Sequence, residues 1–181
     1  MTPTPTSETK GRRADRILKP RGFVTTMPVD VETRITIERP RSEVAAYAAD
    51  PDTATSWYKN IQSASWQTEP PLRVGSRVGF EARFLGREMV YTYEIREYLP
   101  GERLVMSTAD GPFPMETTYT WTDTSTGGTI MALRNRGQPA GFSKLAAPLM
   151  EKAMRRANTA DLARLKQILE ARGRDSTRSE S

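Results

Sequence analysis

A chain of 181 residues without cysteine or histidine has room for one domain. It has no disulfide or thiolate chemistry, and it lacks the commonest general base and the commonest zinc ligand. Its net charge of +5 is confined to the ends: residues 1–28 carry +4, residues 172–181 carry +1, and 29–171 are neutral. A nucleic-acid binder shows a basic face on its folded part, so the charge pattern argues against nucleic acid as a partner.

Residues 1–28 combine Thr-Pro repeats, Ser, Gly and clustered Arg. Such a segment buries too little to order itself and is expected to be a disordered basic N-terminal extension. Its Lys10, Arg12, Arg13, Arg16, Lys19 and Arg21 give it the means to touch an anionic membrane surface. A weak targeting segment, or an extension upstream of a true start at Met27, would read the same way. It has no apolar signal core, and nothing in the chain approaches ~18 consecutive apolar residues. A cytoplasmic location is therefore the default expectation. A domain over 29–172 and a disordered tail over 173–181 complete the division.

Val31 to Glu38 alternates Val31, Thr33, Ile35 and Ile37 against polar neighbours, which predicts a half-buried strand. Pro40 closes it. Ser42 is an expected N-cap for a short helix carrying Val44, Tyr47 and Ala48. Asp50-Pro51 breaks that helix, and a second short turn through Ala54 reaches Trp57. Six strands follow: Ile61–Thr68, Arg77–Leu85, Met89–Tyr98, Arg103–Thr108, Met115–Thr122 and Thr129–Asn135. Gly86, Pro100-Gly101 and Gly127-Gly128 mark turns between them. Short loops between alternating strands predict antiparallel hairpins with one wet face.

Residues 142–147 are expected to form a loose turn, and Pro148 suits the first turn of a helix. From there to about 171 apolar residues recur at helical spacing: Leu149, Ala153, Ala157, Leu162, Leu165, Ile168 and Leu169, with Leu145 just before. Lys152, Arg155, Arg156, Asp161, Arg164 and Glu170 fall on the expected charged face. Gly173 is the expected stop. A helix of roughly 35 Å at ~1.5 Å per residue, placed after a run of strands, needs a sheet to cover it. Strand, two short helices, six strands and a long helix make an α+β fold with a seven-stranded antiparallel sheet.

This order, with its local cues, resembles the SRPBCC superfamily, the helix-grip proteins that include START, birch-pollen-allergen and polyketide-cyclase-like members. Val31–Val44 is similar to the family's opening strand, proline and helix. Trp57 stands at the handover to strand two. Pro70–Phe80 is similar to the glycine-then-strand approach to strand three, and Glu94–Leu104 to its strand, Pro-Gly turn and strand. Asp110-Gly111-Pro112-Phe113, Tyr119-Thr120-Trp121 and Gly127-Gly128-Thr129 match the last hairpins, and Ala157–Glu170 the end of the long helix. The resemblance spans about 30–171. It implies a sheet wrapped around the C-terminal helix with an apolar cavity between them. Members bind lipids, sterols, polyketides or plant hormones. Some act as cyclases, aromatases or dehydratases, and others as chaperone co-activators or toxin-antitoxin components.

The inward parity of the strands gives a candidate ligand-binding set: Phe80, Phe84, Tyr91, Tyr93, Met106, Met115, Tyr119, Met131 and Leu133, with Trp121 beside them. Trp57 and, from the helix, Leu149 and Ala153 complete it. Most could equally be ordinary core. The three inward tyrosines speak for a pocket, since buried hydroxyls need partners and apolar walls with a few converging polar groups suit small molecules. Glu81, Glu94 and Glu116 fall on the wet face, so no inward carboxylate is expected from the strands. Asn135, Arg134 and Arg136 end the last strand near an expected cavity mouth. No metal cluster, phosphate loop or Ser–His pair is present, and no cofactor is expected. The expectation is a binder of a hydrophobic small molecule, lipid or aromatic polyketide-like, gated by the helix, the Trp57 region and the loop at 110–114. One alternative is a polyketide cyclase or aromatase in which Tyr91, Tyr93 and Tyr119 position the substrate. Another is a protein-interaction module, which the Arg, Glu and Thr of the outer sheet face disfavour.

Overall fold

The structure, a computed structural model, describes residues 29–138 and 147–179. Strand β1 (Val29–Ile37) is followed by helix α1 (Arg41–Ala49), a 3-10 turn (Pro51–Thr53) and the single-turn helix α2 (Ala54–Trp57). Then come β2 (Ile61–Trp66), β3 (Arg77–Phe84), β4 (Arg87–Leu99), β5 (Arg103–Asp110), β6 (Met115–Asp123), β7 (Thr129–Gly137) and the long helix α3 (Ala147–Ser179). The seven strands form one antiparallel sheet in the order β1-β7-β6-β5-β4-β3-β2. Consecutive strands β2 to β7 pair as hairpins, and β1 returns to close against β7. This is the helix-grip arrangement. Among the described residues no helix is long and apolar enough to cross a membrane.

The alternating pattern of the strands becomes the inner face. Val78, Phe80 and Ala82 of β3, Tyr93 and Ile95 of β4, Tyr119 and Trp121 of β6, and Met131 and Leu133 of β7 are all buried. Register shifts between Thr92 and Tyr93, and between Ile95 and Glu97, interrupt the β4–β5 ladder. Each adds an unpaired residue, and bulges of that kind bend and twist a sheet. One extra residue, Ala109, lies on β5 and the other, Arg96, on β4. Leu85 (φ 50) and Gly86 (φ 78) join β3 to β4. Two successive positive φ values make the turn whose twist matches a two-residue hairpin.

Two corrections concern helix ends. Helix α1 starts at Arg41 with Pro40 at the cap position and no side-chain cap. Ser42 lies inside it, because the Pro40 carbonyl already accepts from the backbone N–H groups of Glu43 and Val44. Helix α3 does not stop at Gly173 but runs to Ser179, so the segment 173–179 is helical rather than a disordered tail. Glycine there serves a close approach: a side chain would meet the Arg39 guanidinium. Arg172, one residue earlier, lies 4.6 Å above the Tyr47 ring of α1. The N-terminal extension (1–28), Leu145 and the expected turn up to residue 146 lie outside the described residues.

Helix α3 packs along β1 and against α2. Leu162, Leu165 and Leu169 enter the main core with Trp57, Trp121, Ile37 and Leu104. Nearer its start, Met150 and Met154 form a second cluster with Val29 and Val31, against which Phe84, Met89, Phe113 and Met115 pack. Between the two clusters the sheet and the helix stand apart.

Candidate functional site

That gap is a cavity with an interior of about 150 Å³ open to water. At roughly 10–15 Å³ of such space per water, it holds about ten waters or one molecule of similar size. Its walls come from β3, β4, β5, β6, β7, the start of β2, and the first four turns of α3. Met89, Pro112 and Phe113 also line a shallow surface depression between the β3–β4 hairpin and the loop after β5. The loop expected to gate the cavity is therefore at its outer end. Gly111 in that loop has φ +155, and a side chain there would lie 2.8 Å from Tyr91 Cβ, so only glycine lets the loop sit this close.

Seven of the twelve candidate residues line this cavity: Phe80, Phe84, Tyr91, Tyr93, Met106, Met115 and Tyr119. Five do not. Met131 and Leu133 are fully buried behind it, in the core. Trp57, also fully buried, lines a separate, smaller cavity. Leu149 is 53% exposed, and Ala153 is half-buried beside it. On α3 it is Met150, Met154, Ala157, Asn158 and Asp161 that face the cavity, so Ala157 lies on the expected stripe and Leu149 and Ala153 lie one residue off it. Two polar residues, Asn158 (4% exposed) and Asp161 (3% exposed), sit inside the apolar stripe, so the apolar pattern alone leaves these two positions out.

Both polar residues have partners that hold them there. Asp161 accepts the Lys59 backbone N–H at 2.9 Å, which ties α3 to the end of α2. Burial raises its carboxyl pKa to about 6, although the Lys59 N–H works the other way. Asn158 accepts from Asn135 Nδ2 at 3.1 Å, and Asn135 Oδ1 accepts from the Thr117 hydroxyl at 2.7 Å. Thr117 and Asn135 are direct cross-strand partners on β6 and β7. Since the single Thr117 proton is committed to Asn135, the Tyr93 hydroxyl donates to Thr117 Oγ1, at 3.1 Å. The chain runs one way from Tyr93 to Asn158 and ends on Asn158 Nδ2, a buried donor with no partner among the described residues.

A second polar contact joins Tyr58, just after α2, to Tyr119 of β6, through their hydroxyls. Trp57 stacks on Tyr58 at 3.8 Å, and Tyr91 and Tyr93 meet edge to face at 5.1 Å. Burial pushes the phenol pKa values of Tyr58, Tyr91, Tyr93 and Tyr119 up. All four are neutral donors at ordinary pH. Among the described residues that line the cavity, Asp161 alone has a pKa brought to about 6. The described residues hold no cluster of three potential metal ligands. Sequence reasoning missed Tyr58, Asn158 and Asp161. Tyr58 falls between elements, where no periodicity speaks. Asp161 stands seven residues after Met154 and four before Leu165, a spacing that does put it on the buried stripe.

The fold is shared with solved structures at low identity. A protein of Thermus thermophilus superposes with a TM-score of 0.67 at 20% identity, covering 78% of this chain and 97% of that one. The Zhui aromatase/cyclase of Streptomyces sp. R1128 gives 0.67 at 17% identity, covering 81% and 96%. A START superfamily protein of Mycobacterium smegmatis gives 0.61 at 13% identity, covering 79% and 95%. No curated protein matches the chain. Residues 28–170 match the family described as polyketide cyclase / dehydrase and lipid transport. The chain belongs to that family, within the START-like SRPBCC superfamily.

Proposed function

We propose that the protein binds a mostly apolar, oxygen-bearing small molecule, such as a lipid or an aromatic polyketide-like compound, between the sheet and α3. The observation that carries this is the cavity itself. Its walls are aromatic rings and methionines, and its polar groups converge in two places, the Tyr93-to-Asn158 chain and the Tyr58–Tyr119 pair. Apolar walls with a few placed polar groups are how small-molecule sites are built, and flexible methionines adapt to a ligand's outline. The family description, which includes lipid transport, supports the same reading. Native mass spectrometry of protein purified without detergent tests it. A reproducible extra mass that extracts into organic solvent is expected. A bare mass, together with no uptake from a panel of lipids and aromatic ketones, would sink the proposal.

One observation favours a second reading, a cyclase or dehydrase. Asp161 is a cavity carboxylate with its pKa raised to about 6, poised for general acid–base work. Ionised, it takes the proton from a carbon beside a bound carbonyl. The C–H bond breaks, an O–H bond forms on Asp161, and the electron pair moves onto the carbonyl oxygen as an enolate. Protein-catalysed deuterium exchange at the α-carbon of 1-tetralone in heavy water reads this step. The rate should rise with pH through about 6 and vanish in Asp161→Asn. A rate equal to buffer alone rules the reading out.

A further inference from the structure

Beside the main cavity lies a smaller one of about 30 Å³, room for roughly two waters by the same measure. The two share Tyr58, Phe80, Tyr93, Met106 and Tyr119 as lining. The inner chamber has Leu72, Val78, Ile95 and Leu104 among its apolar walls, and Asp50 is the one charged residue, among those described, that lines it. Trp57 stands at its back, fully buried, stacked on Tyr58 and edge-on to Tyr119 at 6.1 Å. Within the common wall, Tyr58 and Tyr119 are the two residues joined hydroxyl to hydroxyl. They reach each other from opposite sides, one from the α2–β2 connection and one from β6.

We propose that the Tyr58–Tyr119 pair is the partition that sets how deep a ligand enters, and so the ligand length the protein accepts. The proposal rests on the small-molecule reading above. Tyr58 is the half that lies outside the sheet. It follows a single-turn helix, whereas Tyr119 is held in the sheet between Thr118 and Thr120, with Leu104 and Leu133 as its cross-strand neighbours. The apolar walls of the inner chamber fit an unbranched apolar tail. With the pair closed, a linear ligand ends at the two hydroxyls. With the Tyr58 ring removed, the chambers merge and the tail runs on towards Trp57.

A homologous series tests this: the linear 2-alkanones from 2-hexanone to 2-tetradecanone, with dissociation constants measured by calorimetry. Affinity should rise about three- to four-fold per methylene up to a chain length at which it levels off or falls. In Tyr58→Ala that limit should move to longer chains. In Tyr58→Phe, which keeps the ring and loses only the hydroxyl bond, the limit should stay near the wild-type value. Tyr58→Leu, which keeps apolar bulk beside Trp57, gives the same readout if the alanine variant does not fold, and should shift the limit in the same direction by less. Alkanone binding with one limit shared by the wild type, Tyr58→Ala and Tyr58→Leu overturns the partition and leaves the small-molecule reading standing. A wild-type affinity that climbs through the whole series does the same. No binding of any alkanone overturns both.

Discussion

Asp161 is where local chemistry and stability meet. It is an acid held in an apolar stripe by one backbone N–H, with no ion pair to it among the described residues. Its pKa is about 6 folded against 3.8 for the free side chain, so between those values the folded state binds more protons than the unfolded one. Stability from this group is therefore fullest below about pH 4, falls as pH rises towards 6, and is flat above. The amount is on the order of 3 kcal/mol. Asp161→Asn keeps an oxygen for the Lys59 N–H and removes the buried charge. Urea unfolding should find the variant more stable than the wild type at pH 7, with the difference gone at pH 4. A variant less stable at pH 7 would contradict the assigned cause of the shift. From sequence this residue reads as part of the wet face, because a charge in an amphipathic helix normally is.

At the scale of elements, the strands were legible and the helix only in part. A period of two leaves little choice of face, and Phe80, Tyr93, Tyr119, Trp121, Met131 and Leu133 all point inward as their alternation predicts. What alternation cannot separate is cavity wall from core: Tyr119 lines the gap while Met131 and Leu133, with the same parity, sit behind it. The second half of α3 was also legible, with Leu162, Leu165 and Leu169 buried as expected. The first half was not, because cavity-facing positions carry Asn158 and Asp161 where a packed core would carry leucine. The two phases make different forecasts for two leucines of one helix. Leu165→Ala should cost about 2–5 kcal/mol, the usual cost of a buried truncation. Leu149→Ala should stay within about 0.5 kcal/mol, as exposed sites do. Thermal and urea unfolding of both variants check this, and equal losses would put the helix in the phase expected from sequence.

On the scale of the whole molecule, an open curled sheet has two edges, and α3 covers one of them. Arg155 donates to the Glu32 carbonyl at 2.9 Å and Lys166 to the Thr36 carbonyl at 2.8 Å, while Glu170 accepts the Glu38 N–H at 2.8 Å. The exposed side of β1 is thus occupied by side chains of the helix, which removes a template for strand pairing. On the inner side, α3 and the sheet leave the cavity open between the methionine cluster and the leucine core.

The methionines give the most direct test of whether that space is a ligand site. Met89, Met106, Met115, Met150 and Met154 line it, whereas Met131 is fully buried in the core and does not. With carbon-13 on the methionine methyls, titration with 9-fluorenone, a rigid aromatic ketone of fitting size, should shift the five cavity signals and leave Met131 in place. A saturating titration in which the five stay still, or in which Met131 moves as far as they do, would contradict a ligand between the sheet and α3.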